Sequence, residues 1–308
     1  MRIAIMGSGG VGAYVGARLQ AAGEEVGFIA RGAHLAALRE SGLRLETPEE
    51  PLHLPQVTAT DDPAALAPAD VVLFCVKLWD TADAARQLRG LVGPETRVIT
   101  LQNGIDSVDM VTEALGGVGR VLGGCIYVSA VIDRPGVIRS PGGFHRIVVD
   151  AAGGDPVVAA FVQACGRARA LECEATDDIA AALWQKFIGL AGVSSTTSLM
   201  RAPMGRILSH PESAAFQRQL FEEGIALARA SGVHIADGMA DTMMGMVAKM
   251  PPSFRSSMSE DLERGKPLEL PWLAGRMHRL GLAHGVPTPA YSAAYRGLVV
   301  HERGAAAG

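Results

Sequence analysis

Lys186 stands alone among apolar residues in Ala182-Leu183-Trp184-Gln185-Lys186-Phe187-Ile188-Gly189-Leu190-Ala191. An ammonium beside a carbonyl stabilises the negative charge that hydride addition leaves on oxygen, and it supplies the proton. A lysine whose stem covers apolar surface while its head stays in water meets the same pattern. Two further groups follow. Ser256 and Ser257 lie where a helix could begin, a position that also suits an N-cap. Glu269 falls at the start of a predicted helix over Leu268–His284, where the dipole favours a carboxylate in any case. Spacing alone leaves both readings open at each position.

The first thirty-one residues supply a cofactor for such chemistry. Arg2–Met6 reads as a short apolar strand, and Gly7-Ser8-Gly9-Gly10-Val11-Gly12 fits G-x-G-x-x-G. Ala13–Ala22 has helical spacing, and a second strand follows at Glu25–Ala30. In that context Gly7 makes the tight turn, Gly9 lets the backbone approach a pyrophosphate, and Gly12 lets the helix pack on the strand. The helix N-terminus offers N–H groups to the phosphates. Where a site for NAD carries Asp or Glu, this chain has Arg31, which suits the 2′-phosphate of NADP. Arg31 also fits the start of a solvated helix, Arg31–Ser41.

The elements that must position these groups alternate strand and helix. Asp70–Lys77 is an apolar run of the kind buried on both faces of a parallel sheet. A helix over Thr81–Leu91, a strand at Arg97–Leu101 and a helix over Ser107–Leu115 continue the pattern. Ligands of open α/β sheets sit beyond the carboxyl ends of the strands. The loop Gly7–Gly12, Lys77 and Asn103 all fall at such ends. Shorter strands are expected at Val121–Ala130, Gly136–Ser140 and His145–Val149, joined by turns that suit antiparallel hairpins. After a helix over Pro156–Ala168 and a strand at Ala170–Ala175, only helices follow, the first capped by Asp177 or Asp178. The expected fold is α/β: a Rossmann-type dinucleotide-binding domain over residues 1–177, then an all-α helical domain over residues 178–308.

With 308 residues, 48% of them hydrophobic and 19% charged, the chain has the composition of a compact two-domain protein. Its net charge of −4 argues against nucleic acid or an anionic membrane as partner. No apolar run is long enough to span a membrane, and the apolar start lacks a convincing cleavage site. Cys75, Cys125, Cys165 and Cys173 show no metal-ligand spacing, so no metal is expected, and they are read as buried, reduced thiols of a cytoplasmic protein.

Taken together, these pieces resemble the ketopantoate reductase (2-dehydropantoate 2-reductase) family over nearly the whole chain. The resemblance rests on Gly7–Gly12, Arg31, Val76-Lys77, Leu101-Gln102-Asn103-Gly104, the Gly136–Gly142 hairpin, Trp184-Gln185-Lys186, Ser256-Ser257-Met258, and Glu269 before Gly275. It implies NADPH and the reduction of a 2-keto acid, ketopantoate first, to a 2-hydroxy acid, as in pantothenate biosynthesis. By the same resemblance Lys186 is the general acid, and Glu269 orients substrate or cofactor hydroxyls. Ser257 binds the substrate carboxylate, while Asn103 and Lys77 line the cofactor site. The chain departs from the family at the positions four and eight residues after the lysine. There Leu190 and Ser194 stand where asparagines are usual, and Met204 replaces a further asparagine. Both positions are expected to line the substrate pocket and to make it more apolar. An NADP-linked reductase of another keto acid or an imine, and a non-catalytic NADP-binding protein, are the alternatives. The helical half could supply a homodimer interface.

Overall fold

The structure, a computed structural model, describes residues 1–305. It divides into two compact units, Met1–Ile179 and a second beginning at Ala180.

The first unit carries strands β1 (Arg2–Met6), β2 (Glu25–Ile29), β3 (Leu43–Glu46), β4 (Leu52–Leu54), β5 (Thr58–Thr60), β6 (Val71–Phe74), β7 (Arg97–Thr100) and β8 (Arg120–Tyr127). It continues through β9 (Val131–Arg134), β10 (Val137–Arg139), β11 (Arg146–Asp150) and β12 (Glu172–Thr176). Its helices are α1 (Gly10–Ala21), α2 (Gly32–Ser41), α3 (Thr81–Gln87), α4 (Ser107–Leu115) and α5 (Pro156–Arg167). Eight strands form one sheet in the order β12-β11-β8-β7-β6-β1-β2-β5. From β5 to β8 all neighbours are parallel. The four residues of β6 are wholly buried, as two-sided coverage of a parallel strand requires. Strand order reverses between β1 and β6, which puts the ligand crevice at their carboxyl ends.

The short strands differ from the hairpin series expected. β9 and β10 form an antiparallel hairpin, as do β3 and β4, and β10 pairs in parallel with β3. With β4 they make a separate four-stranded sheet. β11 instead pairs antiparallel with β8 and parallel with β12, extending the large sheet. Helix α1 touches both sheets. None of the four cysteines is in a disulfide, and of them only Cys125 and Cys165 are buried. Cys75, just after β6, and Cys173, in the edge strand β12, are half-buried.

The second unit is helical: α6 (Ile179–Leu199), α7 (Met204–Leu208), α8 (Pro211–Ala230), α9 (Met239–Ala248), α10 (Ser257–Glu263), α11 (Ala274–His284) and α12 (Pro289–Leu298). α6 and α8 pack closely, since a Cβ on Gly192 would stand 2.7 Å from Phe221 and one on Gly224 3.0 Å from Ile188. The buried Glu223 of α8 accepts the N–H groups of Ala290 and Tyr291, capping α12 from a neighbouring helix. No α-helix starts at Glu269. That residue precedes a 3-10 turn, Leu270–Trp272, and the helix begins only at Ala274. Pro271 and the sharp backbone bend at Leu273 interrupt the pattern. Among the described residues no helix is long and apolar enough to cross a membrane.

Candidate active site

The glycine loop joins the carboxyl end of β1 to α1. Gly7 sits at φ +92°, and a Cβ there would stand 2.8 Å from the backbone nitrogen of Val76, so only glycine fits between two strand ends. A Cβ on Gly12 would meet the Gly7 carbonyl at 2.3 Å, so α1 lies close against β1. Gly9 is different: a Cβ added there meets nothing within 4 Å. It borders open space at the first turn of α1, whose N-cap provides no side-chain hydrogen bond. A helix start with orphan N–H groups and room in front suits a pyrophosphate. These residues fit the dinucleotide.

Not every loop residue faces that space. Ser8 is buried, its N–H donating to Ile29 O (3.0 Å) and its hydroxyl to Ile5 O (3.4 Å). Ser8 therefore ties the loop to β2. Gly10 is pressed from outside, since a Cβ there would lie 2.1 Å from Ala130 O in the link between β8 and β9. His34, in α2, joins that helix to the turn between β9 and β10 by accepting the Gly136 N–H at Nδ1 (3.1 Å). Burial holds its ring below the usual histidine value, and the Ser8 backbone offsets part of that. With Nδ1 accepting, the neutral ring carries its proton on Nε2. Neither the Gly10 contact nor His34 was legible in the sequence, because both depend on the second sheet.

Arg31 is exposed at the end of β2 and is the N-cap residue of α2, without a side-chain capping bond. Among the described residues its guanidinium has no carboxylate partner. Lys77 follows β6 and is exposed, with Nζ 5.6 Å from the ring centroid of Trp79. Asn103, half-buried, follows β7. Since β1, β6 and β7 are consecutive in the sheet, the loops bearing Gly9, Lys77 and Asn103 are brought together.

In the second unit Lys186 is half-buried on α6, beside the buried Trp184, Phe187 and Ile188. A helical repeat puts Leu190, Ser194 and Thr197 on its stripe. Leu190 is half-buried, whereas Ser194 is fully enclosed and its Oγ has no hydrogen-bond partner among the described residues. Ser256 caps α10 through the Ser259 N–H (3.1 Å), which leaves the exposed Ser257 as the first helical residue. Glu269 is buried, at 6% exposure. Met204 is buried as well.

A parallel sheet with its glycine loop at the switch point, followed by a helical unit, is the architecture of a dinucleotide-binding protein of the Rossmann class. Residues 3–153 match the family described as Ketopantoate reductase PanE/ApbA, and residues 178–302 match its C-terminal counterpart. The 2-dehydropantoate 2-reductase of Halobacterium salinarum is 30% identical over 292 residues, covering 94% of this chain and 95% of the relative. Among solved structures, a PanE/ApbA family ketopantoate reductase from Ralstonia eutropha is 34% identical, with a TM-score of 0.90 and 98% of each chain covered. A 2-dehydropantoate 2-reductase from Geobacter metallireducens is 28% identical, with a TM-score of 0.88 over 97% of this chain and 99% of the other. The chain belongs to the ketopantoate reductase family, whose members are NADP-dependent oxidoreductases acting on a CH–OH/C=O pair.

Proposed function

We propose that this protein reduces a 2-keto acid with NADPH, ketopantoate being the foremost substrate and Lys186 the general acid. The observation that carries this reading is the half-buried Lys186, the one charged residue of α6. NADPH, when bound, supplies the hydride. The chain does the rest. The α1 N-terminus holds the pyrophosphate, Arg31 and Lys77 bring positive charge to the 2′-phosphate side, and Asn103 lines the same site. Ser257 holds the substrate carboxylate and Glu269 orients a hydroxyl. The Lys186 ammonium gives a proton to the keto oxygen as negative charge develops there. Retention of both Lys186 and Glu269 argues against mere cofactor binding. The name borne by the Halobacterium relative supports ketopantoate.

A second reading, an NADP-linked reductase of a bulkier keto acid or an imine, is favoured by Leu190 on the Lys186 stripe. The protein is proposed to act in the cytoplasm. Two copies are proposed to associate through the helical unit, where Leu282 and Val300 are 72% and 77% exposed.

Lys186→Ala tests the assignment. Turnover should fall by roughly 10²–10⁴ while the Kd for NADPH stays within about twofold. An equal loss in both quantities would overturn the general-acid role.

A further inference from the structure

Gln102 lies in the loop after β7, immediately before Asn103, and is 5% exposed. Its side-chain amide spends both N–H groups on the neighbouring strand end. Nε2 donates to the Val76 carbonyl (3.0 Å) and to Thr81 Oγ1 (2.8 Å). Thr81 is fully buried and passes the link on, its hydroxyl donating to Leu78 O (2.8 Å). The acceptors thus bracket Lys77 and Trp79. Between them the chain makes a 3-10 turn, Leu78–Asp80, with Leu78 sunk in the core as its anchor. Val76 in turn abuts Gly7, the pivot of the phosphate loop. One side chain therefore couples three strand ends: its own at β7, that of β6 directly, and that of β1 through Val76.

We propose that Gln102 is a positioning residue for the dinucleotide. It fixes the segment Val76–Thr81 so that the exposed Lys77 is presented beside the glycine loop. The inference rests on the reading that Lys77 lines the cofactor site. A long, flexible lysine gains affinity for a phosphate only when its backbone is held in place, because ordering it on binding costs entropy. The clamp does that ordering during folding. A residue that served stability alone would leave the contribution of Lys77 unchanged.

The test is a double-mutant cycle on the equilibrium Kd for NADPH, read by nicotinamide fluorescence without substrate. Lys77→Ala should weaken binding about tenfold, as loss of a charge-assisted contact does. Gln102→Ala should weaken it about fivefold alone and less than twofold in the Lys77→Ala background. Amide exchange over residues 76–81 should quicken in the free Gln102→Ala protein. Thr81→Val, which keeps shape and removes only the relay hydroxyl, should move both readouts the same way and serves if Gln102→Ala does not fold. Losses that simply add in the double mutant would overturn the positioning role while leaving Lys77 in the site. A Lys77→Ala variant with unchanged Kd would instead overturn the reading of Lys77, and the proposal with it.

Discussion

Thr197 and Ser256 meet hydroxyl to hydroxyl at 2.9 Å, joining α6, the helix of Lys186, to the N-terminus of α10. The contact is fully buried, and Ser259 reinforces it by donating its hydroxyl to Thr197 O (3.1 Å). Within the helical unit, Lys186 and Ser257 are therefore carried on elements bound to each other.

Ser256→Ala removes the cap of α10 and the partner of Thr197 together. Stability should drop by about 1–3 kcal/mol, measured by urea unfolding. The KM for the keto acid should rise more than kcat falls, because the displaced group, Ser257, is proposed to hold the carboxylate. A fall in kcat alone would disconnect α10 from substrate binding.

Arg31→Ala should raise the KM for NADPH about ten- to hundredfold, the worth of a charge-assisted contact of roughly 1.5–3 kcal/mol. NADH use should stay nearly constant. Equal losses for the two cofactors would show that Arg31 does not read the 2′-phosphate.

Asp155 links acid stability to the first unit. It accepts from Arg97 Nε at 2.7 Å and caps α5 through the N–H groups of Val157 and Val158. Burial pushes its carboxyl up, but the Arg97 hydrogen bond and the two N–H groups outweigh burial and hold it below the usual carboxylate range. Its contribution is complete above the unfolded value of about 4 and is lost as the pH falls through the lower folded value. Asp155→Ala should cost about 3 kcal/mol at neutral pH. Below pH ~4 the gap to the wild type should narrow. A gap that is constant from neutral pH into acid would exclude ionisation as its source.

Substrate preference is proposed to turn on Leu190. Ser194 is fully enclosed, and an asparagine there would overfill its site, so Leu190 alone is the useful exchange. Leu190→Asn should shift relative kcat/KM toward ketopantoate, against a branched keto acid lacking the hydroxyl, by about 1–3 kcal/mol. A wild type that already prefers ketopantoate by orders of magnitude would mean that other residues hold that hydroxyl.

The parts of the fold legible in the sequence are those with strong local signals. The segment from Arg2 to Ile29 announces itself through glycine spacing, and Val71–Phe74 through unbroken burial. β3, β4 and β5 escaped notice because each has only three or four residues, and none is buried throughout. β3 takes its order from a partner far away in the chain, in the pairing of Arg44 with Val137, and β4 pairs in turn with β3. Lys186 stood out as a charge in an apolar helix. Gln102 did not, because a glutamine next to a loop carries no signal until the strand beside it is known. The helix start at Glu269 was misjudged because dipole and spacing arguments cannot see the bend at Leu273.

The contact of Gly10 with Ala130 has a consequence for protein engineering. Gly10 is not one of the three glycines of the motif, yet the carbonyl facing it comes from about 120 residues further along the chain. The nucleotide loop is thus moulded on its outer side by a hairpin absent from the first βαβ segment. That segment is not a portable cassette. A chimera that imports the first thirty residues of another dehydrogenase, with any side chain at position 10, would drive a Cβ into the Ala130 carbonyl and splay the two sheets around α1. If Arg31 and Lys77 read the cofactor as proposed, cofactor exchange in this protein is to be sought at those strand tips, with the loop itself left in place.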